Sequence, residues 1–398
     1  MARKARVLMV AAALLLAFAQ PAGAATKPSK VGLVSIIAGT TSSLTLQWPK
    51  AAHAATYEVL VATNEAMSKA KVRSAGSRLR FKVTRLTRGR VYCFVVRAKN
   101  GGGVGARSTH TCKPTVRSRG ATSGARYTVM TYNVCSYKGG TSGCDRVSPW
   151  SVRGPLAQQL MLAKKPDVVA AQESDYLDEL DGYTLAYYQS GKRLFYKTSR
   201  FDLAQMTADC PADPAPGDPP CEPETVPRAG FITMGPGKYA VWAELIDHFA
   251  NDKHVIFVSV HTTSGKSDTY ARRREAEITT LLKEMTALNL DNLPVIFAGD
   301  FNSNRHRPND YLAAVFHRAG YVDAYDLAGS LIRPNYNSYN GFSKNPIISK
   351  TWGDHVDHIW VKTSIGVRKW EGVSFFANAR YTTLPSDHSP VMATLTVK

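Results

Sequence analysis

A carboxylate and an amide stand two residues apart in Gly299-Asp-Phe-Asn-Ser303, directly after the apolar run Leu293 to Ala298. Ionised aspartate only accepts hydrogen bonds and the asparagine amide both donates and accepts, so in extended backbone Asp300 and Asn302 point the same way and suit a hydrated cation or a phosphate. Gly-Asp and Asn-Ser are also ordinary turn formers, so the pair gains meaning from other polar residues that close apolar runs. Asn133 lies near the end of Tyr127 to Val134, Glu173 ends Asp167 to Glu173, and His261 follows Val255 to Val260. In Val356-Asp-His-Ile-Trp-Val361, alternation puts Asp357 on a face with Ile359 and Val361. A carboxylate there needs a partner. The partner expected is His388 of Ser386-Asp-His-Ser-Pro390, because a buried carboxylate fixes an imidazole's tautomer and raises its basicity.

Strands and helices must alternate to carry these groups. Leu293 to Ala298 is almost wholly apolar after an early proline, as in a strand covered on both faces. Tyr127 to Val134 alternates, with Val129, Thr131 and Asn133 on one face. Leu156, Leu160 and Ala163 mark a helix after Gly154-Pro155. Leu194 to Lys197 and Phe201 to Leu203 suggest a hairpin leading into Asp209 to Arg228, a Pro- and Asp-rich loop expected to overhang the site. Strands follow at Val241 to Ile246 and Val255 to Val260. A helix over Asp268 to Leu288 is expected to bury Tyr270, Ile278, Leu281, Leu282, Met285 and Leu288, leaving Arg272 to Arg274 solvated. A short helix from Asn309 to Ala319 stops at Gly320, and Val391 to Val397 is the last strand.

At 398 residues the chain exceeds one typical core. Arg3, Lys4 and Arg6 precede the apolar run Val7 to Ala19 and the small residues Ala22-Gly-Ala24, the pattern of an export signal over residues 1–24. No later run is long and apolar enough to span a bilayer, so a secreted or surface-associated chain that acts as a monomer is expected. Residues 1–119 hold 21 Lys/Arg against 2 Asp/Glu, whereas residues 120–398 hold 29 of each. Without the signal the N-terminal part keeps +16, enough to concentrate it on nucleic acid, another polyanion or an anionic cell surface. Sequence closeness favours pairing Cys93 with Cys112, Cys135 with Cys144 and Cys210 with Cys221, and the lack of Cys-x-x-Cys spacing argues against thiolate zinc.

Short alternating runs, Ser43 to Trp48, Tyr57 to Ala62, Arg80 to Val83 and Tyr92 to Ala98, argue for an antiparallel sandwich over residues 27–116. Leu44-Thr-Leu-Gln-Trp48, Tyr57-Glu-Val, Leu86-Thr-Arg-Gly and Val91 to Asn100 resemble a fibronectin type III domain, which implies that Trp48 and Leu86 are core and that Tyr92 is the corner tyrosine. His53 and His110 read as solvated surface histidines. Residues 117–125, rich in Arg, Ser, Gly and Thr, read as a flexible linker.

Thr131-Tyr-Asn-Val134, Gln172-Glu173, Ser259-Val-His261, Gly299-Asp-Phe-Asn302, Val356-Asp-His-Ile359 and Ser386-Asp-His388 together resemble the metal-dependent endonuclease/exonuclease/phosphatase superfamily, the deoxyribonuclease I-like enzymes, over residues 126–398. The resemblance implies an α/β (α+β) fold, a four-layer sandwich of two mixed sheets flanked by helices with the site at one rim. It makes Glu173 the principal metal ligand with Asn133 and Asp387 close by. Asp300 and Asn302 would position water or phosphate. His388, oriented by Asp357, would be base or phosphate clamp, and His261 the acid for the leaving oxygen. Such hydrolysis needs a hard cation, a base and an acid, and oxygen ligands favour Mg²⁺, or Mn²⁺ or Ca²⁺, over zinc. The expected activity is that of a secreted nuclease or phosphodiesterase. A sphingomyelinase-like enzyme or an inositol- or sugar-phosphate phosphatase of the same fold is the alternative, and an inactive cell-surface adhesion protein is disfavoured by the completeness of the polar set.

Overall fold

The computed structural model describes residues 25–137, 144–208, 224–307, 312–377 and 380–398. The export signal, the Cys210–Cys221 pair and Asn309 to Tyr311 lie outside them. Two large sheets organise the described residues from 125 onward. The first orders its strands as Tyr183–Gln189, Lys192–Lys197, Val168–Ser174, Ala125–Ser136, Val391–Val397, Gly366–Gly372 and Ser330–Ile332. The second runs Phe201–Leu203, Lys238–Asp247, Lys253–His261, Val295–Asp300, Asp357–Lys362 and Tyr321–Asp323, with Ala229–Gly235 also paired to Lys238–Asp247.

Alternation gives each central strand two apolar faces, and both are used. Val129, Val168, Leu194 and Val391 of the first sheet meet Val241, Phe257, Ile296 and Ile359 of the second in the central core. The other face of the first sheet, with Met130, Tyr132 and Val169, takes Ala157, Leu160 and Met161 of the helix Trp150–Lys164. The opposite face of the second sheet takes Ile278, Leu281 and Met285 of Asp268–Leu288, and Val315 and Phe316 of Leu312–Arg318. Helix, sheet, sheet, helix is the four-layer arrangement that the motifs imply.

Several local expectations are corrected. The first helix begins at Trp150, so Pro155 lies inside it. Leu194 to Lys197 and Phe201 to Leu203 form no hairpin: the chain crosses from one sheet to the other, and Arg200 spans the crossing with ion pairs to Asp167 at 3.0 Å and Asp247 at 2.7 Å. In Asp268–Leu288, Tyr270 and Leu288 are exposed, whereas Arg274 is buried and donates to the carbonyls of Thr263 and Gly265. Period alone cannot show that a long basic side chain will cap a loop from beneath. Only Gln205–Ala208 and Glu224–Pro227, paired as a ribbon, describe the flanks of the acidic loop.

Residues 27–116 form an antiparallel sandwich whose core holds Trp48, Tyr57, Val59, Phe94 and Val96, with Leu86 partly buried against it. Tyr92 accepts the Thr87 N–H on its hydroxyl at 2.8 Å. Cys93–Cys112 and Cys135–Cys144 are formed. The sandwich does not hang free. Ser35–Gly39 bridges Ser330–Ile332 at Ala38 and Ser330, so Ser35–Gly39, Ser43–Gln47 and Arg80–Thr84 extend the first sheet to ten strands. Cys112 N–H donates to the Thr351 carbonyl at 2.8 Å. Lys113, fully buried, donates to the Asp326 carbonyl at 3.2 Å and lies over the Tyr325 ring. His110 sits against Glu65 and Thr351 instead of open solvent. The 117–125 segment is likewise held, with Ala121 N–H donating to the Ser364 carbonyl at 2.7 Å.

Candidate active site

Pairing register brings the polar strand ends to one rim. Gln172 pairs in parallel with Asn133, and His261 with Asp300, so two parallel strand pairs end side by side; Asp357 then faces Asp300 across an antiparallel pair. Seven of the eight anticipated side chains meet here. Asn133, wholly buried, donates its amide to Glu173 Oε1 at 3.0 Å and Asp300 Oδ2 at 3.1 Å, while its oxygen accepts the Cys135 N–H. His261 Nε2 lies 3.6 Å from Asp300 Oδ2 and 3.8 Å from Glu173 Oε1. His388 Nδ1 is 2.9 Å from Asp357 Oδ2, and its Nε2 is 3.7 Å from Asp300 Oδ2. Asp387 lines the same cleft as Glu173 and His261. Asn302 departs from expectation. The strand ends at Asp300, Asn302 turns to φ 48°, and its amide donates to the Thr262 carbonyl at 3.2 Å, because its backbone N–H bends back to Asp300 Oδ1 at 2.9 Å. Glu173 and Cys135 also hold positive φ, 44° and 52°, a backbone state that costs an L-residue about 1 kcal/mol or more.

Burial and proximity set the charges. Burial pushes the Asp300 carboxyl up to about 7 against the pull of His388, and it raises Glu173 too, against the Asn133 hydrogen bond. Burial would lower His388, but the Asp357 and Asp300 carboxylates outweigh it and hold the imidazole up at about 10. His261 is driven well below its ordinary value by burial, with Lys238, Lys192 and His388 adding positive charge nearby. A buried group of carboxylates, with an amide between them, is oxygen-rich and excess in negative charge. That donor set fits a hard divalent ion. Cys135 and Cys144 lie beside Asp387 but are joined in a disulfide and offer no thiolate.

The supporting residues were not legible as motifs. Ser386 Oγ donates to the Asn133 carbonyl at 2.7 Å and accepts the His388 N–H. Ser338 Oγ accepts the Asp357 N–H at 3.1 Å. Arg153, 2 % exposed, donates to the carbonyls of Val134, Cys135 and Pro385, tying the Asn133 strand end to the loop that carries Asp387 and His388. Gln172 joins Thr131 to Ser259 beneath the site. In front lies a cleft of about 770 Å³, whose walls include Tyr137, Tyr188, Tyr239, Lys192 and Lys238. Lys192 is 5 % exposed, and burial with the nearby Lys238 lowers its amine to about 8.

The model of the Endonuclease/Exonuclease/phosphatase family matches residues 130–388, and that of the Fibronectin type III domain matches residues 27–112. Among solved structures, an endonuclease/exonuclease/phosphatase family protein of Bacteroides thetaiotaomicron is 22 % identical at a TM-score of 0.49, covering 69 % of this chain and 98 % of its own. The mannosyl-6-phosphatase of the same organism is 21 % identical at a TM-score of 0.49, covering 68 % of this chain and all of its own. The human Nocturnin catalytic domain with bound sulfate is 18 % identical at 0.43, covering 68 % and 94 %. No curated protein matches the chain.

Proposed function

Because the chain belongs to the Endonuclease/Exonuclease/phosphatase family, we propose that this phosphoester hydrolase is exported and cleaves nucleic-acid phosphodiesters with a divalent ion, its basic N-terminal sandwich holding the polyanion. One observation carries the reading: Asn133, Glu173, His261, Asp300, Asp357 and His388 close on a single point at the rim, beside a cleft walled by tyrosines and two lysines. Glu173 and Asp387 would hold Mg²⁺, or Mn²⁺ or Ca²⁺, with the Asn133 amide orienting the Glu173 carboxylate. When bound, the ion offsets charge on the phosphoryl oxygens.

The chain's own groups divide the rest. His388, between two carboxylates, is the cationic donor that clamps a phosphoryl oxygen, and Asp357 fixes its ring so that Nε2 carries the reaching proton. Asp300, whose carboxyl burial holds near neutrality, takes the proton of the attacking water. His261 lies on the other side of Asp300 and faces the leaving oxygen. Burial keeps this imidazole neutral, with the Lys238 and Lys192 charges adding to it; a substrate phosphate offsets those charges, so its proton affinity rises as substrate binds. Asn302 anchors the turn and leaves proton transfer to Asp300.

A second reading, a phosphatase acting on a small sugar phosphate, is favoured by the cleft's having Lys192 and Lys238 as its lining lysines and no arginine among the described residues. A panel of plasmid DNA, RNA, sphingomyelin, a sugar phosphate and a chromogenic phosphodiester, each with Mg²⁺ and with chelator, separates the two. Turnover of nucleic acid above the sugar phosphate supports the first reading. Turnover of the sugar phosphate alone refutes it, and metal-independent turnover refutes the ion. An intact Met1 on the exported protein would defeat signal cleavage.

A further inference from the structure

The excess charge of the N-terminal sandwich is not spread evenly. Lys71–Gly76 and Arg80–Thr84 are edge strands of the two sheets of the sandwich, and where the sheets part a groove of about 380 Å³ opens. Lys69, Lys71, Arg73, Arg85 and Arg90 line it, all exposed, and no Asp or Glu does. Elsewhere on the sandwich, cations are matched where an acid is near, as Arg97 and Lys99 are by Glu58 at 2.7 and 2.8 Å. None of the five groove cations has an ion pair among the described residues. Five like charges around one recess repel one another, and an anion that enters relieves that repulsion. Val61, Val83 and Leu86 add an apolar floor.

We propose that this groove binds a single-stranded nucleic-acid backbone, phosphates against the cationic walls and bases toward the apolar floor. The choice of nucleic acid among polyanions rests on the nuclease reading above; the groove itself does not. Its dimensions decide the form. A recess of this volume admits one strand and not a duplex, and a flat bilayer surface cannot enter it. An apolar floor suits a base and has nothing to offer a sulfated polysaccharide. Binding here would raise the local concentration of substrate around the catalytic rim without taking part in the chemistry.

The test is binding of a labelled oligothymidylate by the full mature chain in chelator, over a series of salt concentrations. Each phosphate neutralised on a single strand contributes about −0.7 to the slope of log K against log salt, so full engagement of the groove gives a slope of about −3.5. Lys71→Ser, Arg73→Ser and Arg85→Ser together are expected to cut that slope by about 2 and weaken binding at least about tenfold. Hydrolysis of a small chromogenic phosphodiester should stay unchanged. A control with Lys30→Ser, Lys50→Ser and Arg107→Ser, exposed residues outside the groove, removes the same charge and should leave the affinity within about threefold. Equal loss in the two triple variants overturns the site, since net charge alone would then explain binding. Tighter binding to heparin or to phosphatidylglycerol vesicles than to the oligonucleotide overturns the assignment of the ligand. Because chelator removes turnover from the measurement, a chain that binds oligonucleotide through the groove yet hydrolyses only sugar phosphates keeps this site and loses the nuclease reading.

Discussion

Arg153→Ala should damage both stability and turnover, and the structure gives the size of each effect. The guanidinium, 2 % exposed, donates to four carbonyls: Ser148 at 2.7 Å, Val134 at 3.2 Å, Cys135 at 2.9 Å and Pro385 at 2.9 Å. It also pairs with Asp145 at 2.9 Å, a partner exposed enough that its loss counts for little. Truncation leaves the buried carbonyls of Val134, Cys135 and Pro385 without this donor, at about 1–3 kcal/mol each, so a total of at least about 3 kcal/mol is expected. Urea unfolding reads that number. Val134 and Cys135 follow Asn133, and Pro385 stands three residues before His388, so the same change frees two site-bearing segments to drift apart. A misplacement of about 1 Å costs on the order of 10²-fold in rate, which hydrolysis of a chromogenic phosphodiester under folding conditions will show. Arg153→Lys, able to reach one or two of the carbonyls, should fall between. A stability change below about 1 kcal/mol, or a large stability loss with unchanged kcat/KM, would refute the reasoning.

Glu173→Gln should lower kcat by orders of magnitude with an unfolding midpoint close to the parent, and His388→Ala should lower kcat as far while also lowering the midpoint, because it leaves the buried Asp357 carboxylate without its cation; parental turnover in either removes that residue from the proposed machinery. Chelator should abolish activity and Mg²⁺ or Mn²⁺ restore it, with Zn²⁺ failing because the donors are oxygens. Burial raises Asp323, but the facing His358 at 2.7 Å and the nearby Arg305 outweigh it and hold the carboxyl at about 2. Its folded pKa is depressed, so its contribution is present above about pH 4 and is lost as pH falls toward 2, about 2.5 kcal/mol in all. Asp323→Asn should flatten that part of the stability–pH curve, and an unchanged slope would refute the assignment. Replacing Cys93 and Cys112 by serine releases a bridge of sequence separation 19 and should lower stability by about 3 kcal/mol, read by denaturant unfolding; a loss under about 1 kcal/mol would say the sheet junction, not the bridge, orders the sandwich.

Much of the site can be read in the chain because its members end apolar strands, and a strand end is local information. The need of Asp357 for a cation was legible from its place between apolar neighbours, and His388 meets it at 2.9 Å. Asn302 leaves the face of Asp300 because a spacing of two implies a shared face only while the backbone stays extended, and the chain turns left-handed there. Tyr183–Gln189 and Lys71–Gly76 are strands without a strict alternation of apolar and polar residues. Each is half-buried or exposed along most of its length, so neither has one fully buried face to impose that alternation.

By itself the sequence determined the alternation of strands and helices, the polar residues that close those strands, and the concentration of positive charge in the first module. These depend on side-chain order over a few residues, which periodicity records. Tertiary structure alone decided that Arg153 and Arg274 are buried under the site loops, that Lys192 and Lys238 flank the cleft, and that Ala38 meets Ser330 to join two sheets into one. Each of these is a contact between segments far apart along the chain. Which of many solvated basic side chains loses its water is settled by packing and register, and neither is written in any local stretch.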